Sequence, residues 1–363
     1  MNFKILLVVP SLARGGAERV AVNLAQELGK RHDIILCLYR NQVEYEVPKN
    51  VRLVVFDTYN KSAFDKIKNT WKRVDYLKLL ISKYKPDFFL SFMGNLQPIL
   101  TGRKVLVSVR NNPLRFPFHV KLQLYSLYRF PNVKKIVCVS RRISEILKNN
   151  FFLKKVTTIY NPVNFSEIDN LSNDEYIKYF YDFRYILSVG RLHPQKNFPL
   201  LIKAYAQSSL RKKYKLVILG EGSEREKLEN LVEALNLKDQ VLLPGKVSNP
   251  YPYMKHAKFF VLASDYEGFP NVLIESLACG TPVIATNCDT GPDEIVEHRK
   301  NGLLVPVGNE KALIEAMEEL DENVELYNAC KSYARESVKK FDIKLIAREW
   351  EKLFQEVLDE TKA

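Results

Sequence analysis

The 363-residue sequence lacks the markers of several protein classes. It has five cysteines, which lie far apart and form no C-x-x-C pair, so reduced thiols in a cytosolic protein are expected rather than a disulfide framework. The five histidines show no metal-ligand spacing, and no D-x-D motif occurs. No apolar run reaches the length of about 18 residues that a membrane-spanning helix needs. These absences exclude a disulfide scaffold and an integral membrane protein, and they give no support to a metal site.

Acidic residues are scarce in the first half of the chain. Residues 1–165 contain 29 Lys and Arg against 10 Asp and Glu, whereas residues 166–363 contain 26 against 32. The total net charge is +13. The first half is therefore expected to meet an anionic substrate, an anionic membrane surface or a polyanion, and charge alone does not choose between these.

Strand-like and helix-like segments alternate along most of the chain. This pattern is typical of parallel sheets covered by helices on both faces, and it predicts an α/β protein with two doubly wound domains facing a cleft. We predict a first domain over residues 1–165 and a second over 166–340, with residues 166–183 as the connection. Ligands in such sheets bind at the carboxyl ends of the strands.

Two loops at predicted strand ends carry residues suited to anions. Gly15-Gly16 follows the first strand, where glycines leave backbone N–H groups free at a helix start, although a plain tight turn explains them equally well. It is not a G-x-G-x-x-G motif, so a dinucleotide site is weakly supported. Arg191 and Lys196 follow the strand that ends near Gly190. The planar guanidinium of an arginine and the compact ammonium of a lysine together suit a diphosphate.

The stretch from Ser264 to Gly280 gives the clearest signal. An apolar strand, a turn at Glu267-Gly268-Phe269-Pro270-Asn271 and a helical segment follow one another, so free amides and a helix dipole face one point. Glu267 and Glu275 bracket that helix start, and two carboxylates there can accept hydrogen bonds from sugar hydroxyls. Without a metal motif, phosphate charge would be met by Arg191, Lys196 and helix amides.

These motifs together resemble those of the retaining glycosyltransferases of family 4, which have the GT-B fold. The resemblance covers essentially the whole chain, and it is nearest to bacterial UDP-sugar-dependent transferases of glycan and lipid-linked oligosaccharide assembly. Its markers are Gly15-Gly16-Ala17-Glu18-Arg19, Gly190-Arg191-Leu192 with Lys196-Asn197, Gly220-Glu221-Gly222, and two glutamates separated by seven residues, Glu267 and Glu275.

The resemblance implies a role for each matching residue. Arg191, Lys196 and Glu267 would be catalytic, the two cations holding the diphosphate and Glu267 holding the donor sugar. Glu275 would bind the ribose, and Gly16 would offer an N–H near the phosphate. The full set of implied donor-binding residues is Gly16, Gly190, Glu221, Val247, Gly268, Phe269, Pro270, Asn271, Val272 and Glu275. The resemblance implies a UDP-sugar donor, no metal and no other cofactor.

One segment departs from the family pattern. Many members carry a His in the loop after the strand that is here Lys104–Val109, whereas this chain has Arg110-Asn111. We interpret these two residues as contacts to the acceptor or the sugar. The last helix, within residues 341–363, is expected to cross back to the first domain.

In this fold the first domain receives the acceptor, and here it is the basic one. Lysines accompany apolar residues over Phe64–Tyr84, and basic and aromatic residues mix over Arg115–Lys135. We therefore predict attachment to an anionic membrane surface through this domain, at the inner face of the cytoplasmic membrane. The expected acceptor is a polyprenyl-diphosphate-linked or polysaccharide glycan of cell-surface polysaccharide or glycoprotein assembly, and no nucleic-acid partner is expected.

Four alternatives remain compatible with the residues. A GDP-mannose-dependent mannosyltransferase would use the same motifs. An isomerase like the UDP-N-acetylglucosamine 2-epimerases would share the architecture but not the paired glutamates with the Arg–Lys pair. A nucleic-acid-binding protein is suggested only by charge, and a non-catalytic relative would bind the sugar nucleotide without transfer.

Overall fold

The computed structural model describes residues 2–13, 15–58, 62–172 and 183–362. The chain divides into two compact units. The first unit contains Met1–Pro162 and Ile343–Ala363, and the second contains Val163–Asp342. The sequence-based boundaries lay at residues 165 and 340, two or three residues from these.

Thirteen strands form within the described residues, and most are short apolar runs of the kind that parallel sheets bury on both faces. They are β1 (Lys4–Val9), β2 (Asp33–Leu38), β3 (Val51–Val55), β4 (Phe88–Ser91), β5 (Val105–Val109), β6 (Val133–Cys138), β7 (Val156–Thr158), β8 (Tyr185–Val189), β9 (Lys215–Leu219), β10 (Val241–Gly245), β11 (Phe260–Leu262), β12 (Val283–Thr286) and β13 (Gly302–Val305).

Helices follow most of these strands. They are α1 (Gly16–Leu28), α2 (Ala63–Tyr84), α3 (Leu96–Leu100), α4 (Phe118–Tyr128), α5 (Arg141–Asn149), α6 (Phe165–Leu171), α7 (Phe198–Gln207), α8 (Arg225–Ala234), α9 (Tyr251–His256), α10 (Asn271–Ala278), α11 (Pro292–Ile295), α12 (Glu310–Glu322), α13 (Val324–Ser337) and α14 (Ile343–Lys362).

Each unit is built on one parallel sheet in which the strand order reverses direction. The first sheet has the order β3-β2-β1-β4-β5-β6-β7, and the second has the order β10-β9-β8-β11-β12-β13. The reversal falls between β1 and β4 in the first unit and between β8 and β11 in the second. At such a reversal point the two strands continue into helices on opposite faces of the sheet, and a crevice opens between their loops at the carboxyl ends of the strands. The predicted doubly wound α/β class is confirmed for both units.

The C-terminal helix α14 belongs to the core of the first unit. Ile346, Trp350 and Phe354 are buried there, and the Phe354 ring stacks on Phe88 with centroids 4.5 Å apart. At the rim of this core, Glu351 Oε1 lies 2.7 Å from Arg31 Nε and 2.9 Å from the buried His32 Nε2. Residues more than 300 positions apart thus complete one hydrophobic core.

One sequence expectation is corrected by the structure. The segment 166–183 is predicted to be a connection, but its start lies in the helix α6, whose first turn is capped by the Asn164 side chain accepting from Glu167 N–H. Residues 173–182 lie outside the described residues. On α2, Ile67 and Trp71 are 64% and 55% exposed, so part of its apolar stripe faces away from the core. No helix of the described ranges is both long and apolar enough to cross a membrane.

The second unit contains one buried carboxylate at the centre of a polar cluster. Asp321, at the end of α12, accepts a hydrogen bond from Tyr214 Oη at 2.7 Å and one from Lys213 Nζ at 3.0 Å, and Lys258 Nζ lies 3.4 Å away. Burial alone would raise the pKa of Asp321, but the hydrogen bonds from Tyr214 and Lys213 and the Lys258 charge outweigh it and lower this pKa. The ionised form is therefore the one that the fold stabilises.

We predict that Asp321→Asn lowers the melting temperature of the protein at pH 7. Losing a charge-assisted hydrogen bond costs about 2 kcal/mol, or roughly 4–8 °C for a unit of this size. Because the folded pKa is lowered, the Asp321 contribution is present above the unfolded pKa of about 3.9 and is lost as the pH falls through the folded value. The difference between the melting curves of wild type and variant should therefore shrink as the pH falls below about 4 and vanish only below the lowered folded pKa.

The control is Glu322→Gln, which changes the neighbouring exposed carboxylate. It is expected to leave the melting temperature at pH 7 within about 2 °C of wild type, as surface substitutions usually do. Equal effects of the two substitutions would show that Asp321 has no special role.

Candidate active site

Two loops lie side by side where the second sheet reverses direction. One follows β8 and runs from Gly190 to Asn197, and the other follows β11 and runs from Ala263 to Pro270. Because β8 and β11 are neighbouring parallel strands, their loops leave the same edge of the sheet. This arrangement brings Lys196 and Glu267 together although they are 71 residues apart.

A buried ion pair joins the two loops. Lys196 Nζ lies 2.6 Å from Glu267 Oε1, and the side chains are only 16% and 8% exposed. The Ser264 hydroxyl donates a second hydrogen bond to the same oxygen at 2.7 Å. Within the described residues, the other oxygen, Oε2, receives only a long contact of 3.5 Å from Gln195 Nε2. Glu267 therefore keeps one carboxylate oxygen with spare capacity to accept a hydrogen bond.

Further hydrogen bonds hold the two loops in register. Asn197 Nδ2 donates to Asp265 Oδ1 at 2.7 Å, Gln195 Nε2 donates to the Tyr266 carbonyl at 2.8 Å, and Asp265 N–H donates to the Gln195 carbonyl at 2.9 Å. Asn197 has a left-handed backbone, with φ of 46°, and caps α7 by accepting from Leu200 N–H. The sequence analysis names Asn197 only as part of a family marker and gives Gln195 and Asp265 no role, although an Asn before Phe198-Pro199 is a helix-cap signal that predicts the capping role of Asn197.

Arg191 differs from Lys196 in its surroundings. Its side chain is exposed and makes no ion pair or hydrogen bond with the residues that the structure describes. Gly190 supports the neighbouring cation instead, since a Cβ at Gly190 would lie 3.3 Å from Lys196 Cε. In this loop Lys196 is ion-paired, whereas the exposed Arg191 forms no ion pair with the described residues.

The loop that follows β12 packs against the turn before α10. The Thr290 hydroxyl donates to the Glu267 carbonyl, and Gly291, with φ of 98°, lies so close that a Cβ there would be 2.8 Å from Pro270 Cδ and 3.0 Å from the Gly268 carbonyl oxygen. Phe269 is buried and packs edge-to-face on Phe341, with ring centroids 5.6 Å apart. The Phe269 side chain is therefore part of the core, which leaves its backbone for any ligand.

Helix α10 begins at Asn271 without a side-chain cap, because the preceding residue is Pro270. Asn271 and Val272 are half-buried at this start, and Glu275 is buried one turn further on, at 8% exposure. Burial raises the pKa of the adjacent Cys279 to about 12, and the Glu275 charge contributes to that rise. The two predicted carboxylates thus lie at the ends of one short segment, and both are largely buried.

Gly220 and Gly222 have a structural explanation that sequence reasoning did not separate from ligand binding. A Cβ at Gly220 would lie 1.8 Å from the Gly190 carbonyl oxygen, and one at Gly222 would lie 2.3 Å from the Leu192 carbonyl oxygen. The backbones after β8 and β9 are in direct contact, and Leu192 N–H donates to the Glu221 carbonyl at 2.9 Å. These glycines are needed for that contact.

Two other residues predicted to bind the sugar donor, Glu221 and Val247, follow β9 and β10. The half-exposed Glu221 carboxylate forms a two-point ion pair with Arg225, at 2.5 and 2.7 Å, and does not join the Lys196–Glu267 cluster. Val247 is half-buried two residues after β10. Neither side chain is brought to the ion pair by any contact of the described residues.

The first unit holds the remaining predicted residues at its own strand ends. Gly16 opens α1, and the Glu18 carboxylate folds back so that a Cβ at Gly15 would lie 2.3 Å from its Oε2. After β5, Arg110 Nη2 donates to Asn161 Oδ1 at 2.6 Å, and its guanidinium lies 4.1 Å from the centroid of the Phe92 ring. Asn111 is exposed. Among the described residues, no group of three or more His, Cys, Asp or Glu side chains is placed to hold a metal ion.

Comparison with known proteins identifies the family. The family model described as glycosyltransferase family 4 matches residues 14–167, and the model described as glycosyl transferases group 1 matches residues 177–337. The chain is 33% identical, over 95% of its length and 98% of the relative's, to N-acetylgalactosamine-N,N'-diacetylbacillosaminyl-diphospho-undecaprenol 4-alpha-N-acetylgalactosaminyltransferase of Campylobacter jejuni.

A second relative and a solved structure agree with this match. The chain is 30% identical, over 98% of its length and 99% of the relative's, to a GalNAc-alpha-(1->4)-GalNAc-alpha-(1->3)-diNAcBac-PP-undecaprenol alpha-1,4-N-acetyl-D-galactosaminyltransferase of the same organism. The structure of Anabaena HepE in complex with UDP is similar in fold, with a TM-score of 0.79 at 19% identity over 97% of this chain and 100% of that one. The predicted GT-B fold is confirmed.

We predict that Gly220→Ala destabilises the second unit by forcing the loops after β8 and β9 apart. Overpacking of this kind costs about 1–3 kcal/mol, which corresponds to a drop in melting temperature of roughly 2–12 °C. The measurement is differential scanning calorimetry of both variants and wild type. Gly308→Ala is the matched control, because its φ is also positive, at 71°, but a Cβ there would meet nothing within 4 Å. Equal losses in the two variants would contradict the contact-based explanation.

Proposed function

The chain belongs to glycosyltransferase family 4, and from that premise we propose that it transfers a hexose or N-acetylhexosamine from a UDP-sugar to a polyprenyl-diphosphate-linked glycan with retention of configuration. The observation that carries the proposal is the Lys196–Glu267 ion pair beside the exposed Arg191, at the reversal point of the second sheet. As a member of a transferase family, the chain is not expected to act as an isomerase or as a nucleic-acid-binding protein.

In the proposed reaction, the second unit binds the leaving diphosphate. Lys196 has three N–H donors and gives one to Glu267, so two remain for phosphate oxygens. Arg191 supplies a planar fork that suits the same group, and the uncapped start of α10 adds backbone amides and a positive dipole end. These charges stabilise the diphosphate as it departs, which makes a metal ion unnecessary in this proposal.

The two carboxylates have separate tasks in this proposal. Oε1 of Glu267 is occupied by Lys196 and Ser264, so Oε2 is the atom that accepts from a hydroxyl of the donor sugar. Glu275 accepts from the ribose, and the backbone of Gly268 to Val272 lies along the sugar. The leaving phosphate takes the acceptor proton, and attack on the face that it leaves retains the configuration.

The nature of the sugar and the acceptor is supported by the names of the relatives. Both Campylobacter proteins transfer N-acetylgalactosamine to an undecaprenyl-diphosphate-linked glycan, and both names specify an α linkage. We propose the same substrate classes here, with an N-acetylhexosamine donor favoured over a hexose. A GDP-mannose donor remains the alternative that the test below decides.

We predict that UDP-N-acetylhexosamines bind and stabilise the protein in the presence of EDTA, and that GDP-mannose does not. Lys196→Ala should raise the Kd for the UDP-sugar at least tenfold, because it removes a charge-assisted contact worth about 1.5–3 kcal/mol. The measurements are a thermal-shift panel and calorimetric titration of UDP-N-acetylgalactosamine, UDP-N-acetylglucosamine, UDP-glucose and GDP-mannose. Product linkage determined by NMR reports retention.

Lys203→Ala is the control, since Lys203 is an exposed lysine on α7 near the site. It should leave the Kd within a factor of two. Stabilisation by GDP-mannose alone would replace the donor assignment with the mannosyltransferase alternative. Binding that EDTA abolishes would refute the metal-free chemistry, and an unchanged Kd in Lys196→Ala would refute the site.

Membrane attachment through the first unit is part of the same proposal. Helix α3 contacts both α2 and α4, so these helices form one layer. Large apolar side chains are exposed on α2, on α4 and in the turn before α4, and exposed lysines of α2 accompany them. We call this surface the basic apolar face; it comprises Ile67, Lys68, Trp71, Lys72, Lys78, Leu79, Leu114, Phe118 and Leu122. Phe118 is 80% exposed and Leu122 is 60% exposed, one turn apart on α4. Such a mixture suits the interface of an anionic bilayer at the inner face of the cytoplasmic membrane.

We predict that the protein floats with liposomes containing 30% anionic phospholipid at low salt. Lys68→Gln with Lys72→Gln should reduce the partition coefficient about 30-fold, since each basic residue near the surface contributes about 1 kcal/mol. Phe118→Ser with Leu122→Ser should also reduce it, whereas Phe152→Ser, at a residue that is 76% exposed outside this face, should not. Absence of flotation in the wild type would refute the membrane partner while leaving the donor assignment intact.

A further inference from the structure

Unpartnered buried polar atoms concentrate in one short segment of the first unit. Within the described residues, four buried side-chain polar atoms have no hydrogen-bond partner, and three of them lie in residues 108–112. These are Ser108 Oγ, Arg110 Nε and Asn112 Nδ2, and the fourth is Tyr39 Oη. Native proteins rarely leave such atoms unsatisfied, so a group of them calls for an explanation, either bound water or a ligand.

The chemistry of these atoms is nearly all of one kind. Arg110 Nε and Asn112 Nδ2 can only donate, and the Ser108 hydroxyl can donate as well. The orientation of the Asn112 amide is fixed, because its Oδ1 accepts from Leu114 N–H at 2.9 Å. Ser108 and Asn112 are each only 3% exposed. The end of β5 therefore offers several shielded donors, and it calls for a ligand rich in acceptor oxygens.

Neighbouring contacts hold this donor group in place. Asn95 Nδ2 donates to the Ser108 carbonyl at 2.9 Å and lies 3.1 Å from Tyr128 Oη, which leaves the Ser108 hydroxyl outside that network. Arg110 is fixed by its bond to Asn161 and its contact with the Phe92 ring. Burial lowers the pKa of Arg110 to about 9, so its guanidinium still carries the positive charge at neutral pH.

We propose that Ser108, Arg110 and Asn112 form an oxyanion-binding subsite that takes a phosphate group of the substrate. The inference rests on the proposed function and extends it. It also replaces the exposed Asn111, which sequence reasoning chose, with the buried Asn112. Two substrates carry such a group, the donor and the lipid-linked acceptor. Because Arg191 and Lys196 of the second unit already serve the donor diphosphate, we assign this subsite to the acceptor's diphosphate.

The test is calorimetric titration of the full-length protein with inorganic pyrophosphate while saturating UDP occupies the donor site. The wild type should bind pyrophosphate, and Asn112→Asp should raise its Kd at least tenfold. This substitution keeps the Oδ1 acceptor for Leu114 but replaces the donor by a negative oxygen. Asn149→Asp, at an exposed residue of the same unit, makes the same charge change and should shift the Kd less than twofold. The Kd for UDP itself should stay within twofold in both variants.

Other results have defined meanings. If the wild type saturated with UDP does not bind pyrophosphate, water satisfies these atoms and the proposal is wrong. If Asn112→Asp weakens UDP binding as much as pyrophosphate binding, the oxyanion belongs to the donor and the acceptor assignment is overturned. Should Asn112→Asp melt early, Arg110→Gln and Ser108→Ala carry the same comparison.

A failure of the proposed function is seen separately, as an absence of UDP binding by the wild type. In that event the pyrophosphate titration is run without UDP in Lys196→Ala, which disables the second unit's anion site. Binding there that Asn112→Asp still weakens tenfold would support the subsite independently, and no binding would refute it.

Discussion

The second unit depends on an ion pair that is costly to bury. Taking Lys196 and Glu267 out of water is unfavourable for each charge, and their mutual attraction compensates only when the remaining polar atoms are satisfied. The Ser264 hydroxyl supplies one such hydrogen bond, to Glu267 Oε1, and the Asn197–Asp265 hydrogen bond holds the two loops together beside the pair. Removing either partner would leave an uncompensated buried charge, so the loops after β8 and β11 have little freedom to separate. Among the described residues, Glu267 Oε2 and two N–H groups of Lys196 form no short hydrogen bond, so they can bind a polar ligand.

This pair can form only because of the way in which the sheet is wound. β8 and β11 are adjacent in space but far apart in sequence, since the winding reverses between them. The first unit repeats the reversal at β1 and β4, where Glu18 lies in the helix that follows β1, and the donor group at Ser108 to Asn112 lies at the end of β5, the strand next to β4. Gly190 and Gly220 allow the backbones after β8 and β9 to touch beside the ion pair. The fold thus positions polar residues at the carboxyl ends of the strands, and the identity of their side chains determines the chemistry of each site.

The elements were largely predictable from the sequence, and the polar bonds between them were not. The apolar runs of buried parallel strands give a strong local signal, and β1, β8 and β9 coincide with such runs. Helical spacing alone does not tell which side of a basic, apolar helix faces the core, so only the structure shows that Ile67 and Trp71 are exposed. Gly220 and Gly222 look the same in sequence whether a ligand or a carbonyl group approaches them. Gln195 and Asp265 act through a contact between loops 70 residues apart, and no local pattern encodes such a contact.

The two units attract anions by different physical means. The first half of the chain has 29 basic and 10 acidic residues, many of them exposed lysines, so its attraction is a field that salt screens over about 10 Å at 0.1 M. The second half has more acidic than basic residues, with 26 basic and 32 acidic, yet it places Arg191 and the shielded Lys196 at one sheet edge. A shielded cation is screened far less than an exposed one. Local placement can therefore bring two cations together in a unit whose overall charge is negative, while an excess of exposed basic residues attracts anions without selecting one position.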